Sequence, residues 1–143
     1  MSETIEFLSR RILVCGFECQ GAARELASYE FVTLLPAYSP EEAAIALQAA
    51  NALLDDGCKE FCCVGPESEW LEDELDHLIE DRDRPDVATT AFTNEAEACE
   101  YLLFAAGGGR SDVLLALVAD HPSLLQRLKT EDSMLQESSN KKE

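Results

Sequence analysis

A doubly wound α/β fold, a three-layer sandwich around a mainly parallel sheet of four or five strands, follows from three features of this 143-residue sequence. Short apolar strand-like runs alternate four times with helix-like runs between Arg10 and Gly109, the pattern of a parallel sheet covered by helices on both faces. The strand candidates are rich in β-branched and other apolar residues, and the first three end at Gly or Pro. The stretch 39–57 carries complete helix start and stop signals.

In order, "RRILVCGF" (10–17) reads as the first strand, closed by Gly16, and "EFVTLLPAY" (30–38) as the second, closed by Pro36. Between them "CQGAARELASY" holds helix formers with apolar spacing at Ala22, Ala23 and Leu26. In "SPEEAAIALQAANALLDDG", Ser39 is the N-cap, Pro40 takes the first helical position, Glu42 closes a capping box and Gly57 terminates. Its predicted buried stripe is Ala43, Leu47, Ala50 and Leu54. "KEFCCVG" (59–65) is the third strand, and the helix 66–83 puts Leu71, Leu75, Leu78 and Ile79 on one face. "DVATTAF" (86–92) is the fourth strand. The helix after it, capped by Thr93 or Asn94, has Ala96, Cys99, Leu103 and Ala106 as its apolar stripe and stops at Gly107-Gly108-Gly109, a hinge.

The expected strand order is 2-1-3-4 in this numbering. Residues 1–130 are expected to form one α/β domain, with "SDVLLALVADHPSLLQRLK" as C-terminal helices (110–130) packed on it, broken at His121-Pro122. Residues 131–143 are polar and expected to be a disordered tail.

The formal net charge of -18 opposes nucleic acid and anionic membranes, both of which need Lys/Arg to displace counterions, and favours a basic partner. No run approaches the ~20 apolar residues of a membrane span, and "MSETIEFLSRR" has no signal-like apolar core, so the expected location is the cytoplasm. There the six cysteines are expected to be reduced and mostly core.

Ligands of such sheets bind beyond the carboxyl ends of the strands. The loops there would bring Cys15, Glu18, Cys19 and Glu67 to a cleft. "GFECQG" has the glycine spacing of a phosphate loop, yet Ala22 and Ala23 stand where Lys and Ser/Thr are needed, and no G-x-G-x-x-G is present. Helix N-termini attract phosphate, but here they carry Glu41 and Glu42, Glu67 and Glu69, and Glu95 and Glu97. A receiver-type phosphoacceptor would need an Asp ending the third strand, which ends Cys63-Val64-Gly65. Cys62 and Cys63 are adjacent in a strand and face opposite sides, so they cannot share a metal, and no C-x-x-C exists. His77 with Asp73 and Asp81 one turn either side reads as a solvated helix face, and His121 as part of a turn. No metal, no cofactor and no catalytic residue is expected.

"CKEFCCVGPESEWLEDELDHLIED", followed by "VATTAF" and "NEAEACEYLLF", resembles a group of small bacterial α/β proteins over roughly residues 30–104, which implies the fold. In type, a small acidic chain also resembles immunity proteins and antitoxins, which implies a basic partner. The expected function is therefore non-enzymatic protein binding through Glu69, Trp70, Glu72, Asp73, Asp76, Glu80 and Asp83, with Trp70 as anchor or as core. The alternatives are a small-molecule or catalytic domain using the cleft, and an assembly role with a homodimer formed by the apolar residues Val113 to Leu128.

Overall fold

The computed structural model describes residues 3–7, 10–16, 31–104, 113–118 and 120–129. The expected helix at 19–29, the glycine run 107–109 and the tail from 131 lie outside these, as do Glu18 and Cys19.

The sheet has six strands: β1 (Glu3–Phe7), β2 (Arg10–Val14), β3 (Phe31–Pro36), β4 (Cys58–Val64), β5 (Ala88–Phe92) and β6 (Val113–Ala116), in spatial order β1-β2-β6-β3-β4-β5. β1 pairs antiparallel with β2 at one edge, and the remaining pairs are all parallel. Four helices are described: α1 (Pro40–Asp56), α2 (Ser68–Asp81), α3 (Glu95–Phe104) and α4 (122–129). The doubly wound α/β class stands.

The expected strand order does not. The first predicted strand was to sit between the second and third, but β3 pairs directly with β4, and β6 lies between β2 and β3. The cause is the stretch "VLLALV", whose length and composition suit either a buried helix or a buried central strand. It is a strand: Leu114, Ala116 and Val118 face one core and Leu115 and Leu117 the other, the two-residue alternation of a strand covered on both sides. The homodimer surface expected at Val113 to Leu128 is consumed by this arrangement. Leu114 and Leu115 are fully buried mid-sheet, and Leu124 and Leu128 of α4 are fully buried against the second core.

The helices form where their caps dictate. Ser39 Oγ accepts from Glu42 N–H (3.1 Å), Glu42 Oε1 accepts from Tyr38 N–H (2.9 Å), and Gly57 ends α1 at φ 107°. No basic residue stands in the last turn of α1; instead Arg82 donates to Asn51 O (2.8 Å) and Arg84 to Leu54 O (3.2 Å), covering carbonyls at the negative end of the helix dipole. Asn94 is the cap of α3, its Oδ1 accepting from Glu97 N–H at 3.0 Å. The buried stripe of α3 is Ala98, Cys99, Leu102 and Leu103, so Ala96 is displaced from the expected set; Ala106 lies outside the described residues.

α1 and α2 cover one sheet face with Leu35, Phe61 and Cys63; α3 and α4 cover the other with Leu34, Cys62 and Val64. Cys62 and Cys63 thus point to opposite cores, as strand alternation requires. A register shift between Phe31 and Val32 lets Phe31 pair with Cys58 and Val32 with Glu60. Glu60 is only 5% exposed, and its Oε2 accepts the Tyr101 O–H from α3, with the Cys62 thiol 3.8 Å away. A carboxylate at that depth needs such donors.

Cys15, Cys58, Cys62, Cys63 and Cys99 are all buried thiols. Burial pushes the Cys58 thiol up to about 12 and raises those of Cys62 and Cys63 as well. At pH 8 the native protein is therefore expected to show at most one fast-reacting thiol of its six in an Ellman assay, Cys19, and all six after unfolding. Rapid labelling of two or more in the folded state would contradict this packing.

Candidate functional site

Two surfaces bring chemistry-bearing residues together. The first is the outer face of α2. Its apolar stripe, Leu71, Leu75 and Ile79, faces the core, which by helical period sends Glu69, Trp70, Asp73, Asp76 and Glu80 outward, each of them exposed. Trp70 settles as surface, not core: it is 44% exposed and lines a cavity of about 220 Å³ with Pro40 and Glu67. Asp83 follows the helix at φ 53°, and a second depression of about 240 Å³ is lined by Asp76, Ile79, Glu80, Asp83, Arg84 and Pro85.

The charge of this face is uncompensated. Between Phe31 and Phe104 the only cations are Lys59, Arg82 and Arg84. Lys59 and Arg84 pair with Asp86, and Arg82 pairs with Asp55 at the end of α1, so each of the three is engaged by a carboxylate outside α2, although Arg84 also lines the depression beside Asp76 and Glu80. Among the described residues no Lys or Arg forms an ion pair with Glu69, Asp73, Asp76 or Glu80. Glu72 registers the crowding: partial burial, then the neighbouring Asp76, Glu69 and Asp73, raise its carboxyl above the usual range. Asp76 accepts a hydrogen bond from Thr89 Oγ1 (2.6 Å), tying the face to β5. His77 is exposed on the same helix, and no group of three or more His, Cys, Asp or Glu able to hold a metal occurs among the described residues.

The second surface is the carboxyl edge of the sheet. β3 leads into α1 on one face and β6 into α4 on the other, so the crevice between their ends is the place where such folds take ligands. Here it is closed by side chains. The Tyr38 and His121 rings stack with centroids 4.6 Å apart, His121 Nε2 lies 2.5 Å from Glu42 Oε2, Tyr38 O–H donates to Glu95 Oε1 (2.5 Å) and Ser123 O–H to Glu95 Oε2 (3.0 Å). Burial, then Glu95, raises the Tyr38 phenol, so it stays a donor. These are residue types of acid–base sites, yet both oxygens of each carboxylate are engaged and the imidazole is covered by a phenol ring. The set joins the starts of α1, α3 and α4 across the crevice.

Sequence reasoning missed this cluster because His121 and Glu42 are far apart in the chain; the signal was that Tyr38 and His121 each follow an apolar run, a signal readable only once β6 is taken as a strand. Of the expected cleft, Cys15 is fully buried, and Glu67 lies beside Trp70. Their parent strands, β2 and β4, are three strand spacings apart, ~14 Å. Glu18 and Cys19 lie outside the described residues.

Fold and surface together define a doubly wound α/β domain with an uncompensated acidic helix face. The chain belongs to the family described as a domain of unknown function, DUF7684, whose model matches residues 21–130, so it takes in β3 to α4 and leaves β1 and β2 outside. No curated protein and no solved structure matches.

Proposed function

We propose that this chain is a non-enzymatic, cytoplasmic protein-binding domain of the kind that masks a basic partner, as immunity proteins and antitoxins do. The observation that carries the reading is the unpaired carboxylate face of α2 around an exposed Trp70. Carboxylates held without counter-charge steer a cationic surface and reject anionic ones, while a half-exposed Trp supplies the apolar anchor that charge alone lacks. No described helix is long and apolar enough to cross a membrane.

The test is co-purification from the native host at low salt, followed by affinity measurement with the captured partner. Trp70→Ala is expected to weaken binding roughly tenfold, the effect of ~1.4 kcal/mol. Joint reversal of Glu72, Asp73 and Asp76 to Lys is expected to reduce the association rate by at least about tenfold and to remove its salt dependence. Because Glu72 titrates above the usual carboxylate range, association should also strengthen as pH rises through that titration, when the face gains its full charge. A partner whose binding ignores salt and all these substitutions would refute the proposal.

A further inference from the structure

On the sheet face opposite α2, the strand β5 and helix α3 border a groove of about 330 Å³ lined by Phe92, Glu97, Glu100, Tyr101 and Phe104. Phe92 and Tyr101 are in ring contact at 5.3 Å, and Phe104 is 46% exposed, so the floor is aromatic. Glu97 and Glu100 are exposed on the rim, and neither makes an ion pair among the described residues. From Glu97 to Phe104 the lining runs ~10 Å along α3, the reach of a short extended segment and not of a point contact.

The strand beside this groove is, among the described residues, the last in the sheet. Gly65 N–H donates to Phe92 O (2.9 Å), so Phe92, and by alternation Thr90 and Ala88, turn their backbone groups toward β4. The N–H and C=O groups of Thr89 and Ala91 then point outward. Edge strands are ordinarily guarded by Lys, Pro or a bulge. β5 reads Ala-Thr-Thr-Ala-Phe and pairs with β4 without a register shift, so it has none of these guards. Its flanks are acidic on both faces: Asp76 is held against Thr89 on the α2 side, and Glu97 and Glu100 lie on the α3 side.

The geometry points to β5 as the docking edge for an extended basic segment of the partner, which adds to the sheet as a further strand and seats an Arg or Lys side chain over the Phe92, Tyr101 and Phe104 rings. Backbone pairing supplies the affinity, and the aromatic groove with its two rim carboxylates selects a cation. A second copy of this chain is the wrong occupant, because edge-to-edge pairing would set these carboxylates against their own duplicates at a net charge of -18 per chain. The inference rests on the proposed function, that the partner is basic, and specifies how it is held.

The test uses two labelled decapeptides, (Arg-Val)5 and the same sequence with every backbone N–H methylated, equal in charge, with only the first able to donate along a strand. Expected are at least tenfold tighter binding of (Arg-Val)5, slowed amide exchange at Thr89 and Ala91 in its presence, and at least fivefold loss of affinity in Phe104→Ser and in Ala91→Pro. Should Ala91→Pro misfold, Phe104→Ser at its exposed site and the exchange measurement on the unaltered protein still decide. Equal affinity for the two peptides, or unchanged exchange at β5, overturns strand addition while leaving an acidic binding face intact. Binding of neither peptide at low salt overturns the basic-partner reading itself. A homodimer dissociated by Ala91→Pro would show a second copy as the occupant and also overturn the inference.

Discussion

Replacing Gly65 by alanine is expected to destabilise the fold by about 3 kcal/mol, a drop in melting temperature of roughly 6–12 °C by calorimetry or circular dichroism. Gly65 sits immediately after β4 at φ 123°, a backbone region that L side chains rarely adopt, and a Cβ there would lie 2.5 Å from Ala37 O and 2.8 Å from its carbonyl carbon. Both are backbone atoms, so no rotamer change relieves the contact. The same turn holds three backbone bonds: Gly65 N–H to Phe92 O, Ala37 N–H to Val64 O and Glu67 N–H to Ala37 O. Pushing Ala37 away therefore loosens the ends of β3, β4 and β5 together. It would also move Tyr38, the next residue, away from His121. A variant with an unaltered melting temperature would mean that this crossing is not as tight as described.

How far the fold was legible depends on which force fixes each element. α1 could be read almost to the residue, because Ser39, Pro40, Glu42 and Gly57 act on their own neighbours and need nothing from the rest of the chain. β4 was equally readable: Phe61, Cys62 and Cys63 must be apolar on both faces if helices cover both. β6 was not, because "VLLALV" satisfies a helix and a strand alike, and the choice is made by the open slot between β2 and β3, which no local pattern encodes. β1 was missed for a related reason: "ETIEF" is short and mixes charge with apolar residues, and its pairing with β2 is all that identifies it. The α2 face was legible in composition but not in its isolation, since the departure of Arg82 and Arg84 to the α1 terminus is a tertiary fact. Trp70 shows the same limit: helical period places it outside the Leu71, Leu75 and Ile79 stripe, but it is surface only because no element among the described residues covers it.

Glu42→Ala is expected to cost about 3 kcal/mol, and Glu42→Gln about half of that, by urea unfolding. Glu42 does two jobs at once: Oε1 accepts from Tyr38 N–H to complete the α1 cap, and Oε2 meets His121 Nε2 at 2.5 Å across the crevice. Losing the cap costs ~1 kcal/mol. Losing the second contact costs ~1.5–2 kcal/mol more, because both side chains are four-fifths buried and the imidazole would be left without that acceptor. The carboxamide of Gln can still accept from Tyr38 N–H through its oxygen, while its NH2 can only donate toward His121 Nε2 and no charge is present, hence a smaller loss than with alanine. His121→Ala isolates the second contact together with the Tyr38 stack, so the double substitution with Glu42→Ala should fall short of the sum of the singles. Full additivity would show that Glu42 acts only as a helix cap and that α4 is held by its Leu124 and Leu128 packing alone. A non-additive result would instead establish that the crevice is shut by a coupled network. Such a closed edge leaves the outer faces of α2 and β5 as the described surfaces where carboxylates stand uncompensated beside exposed aromatic rings.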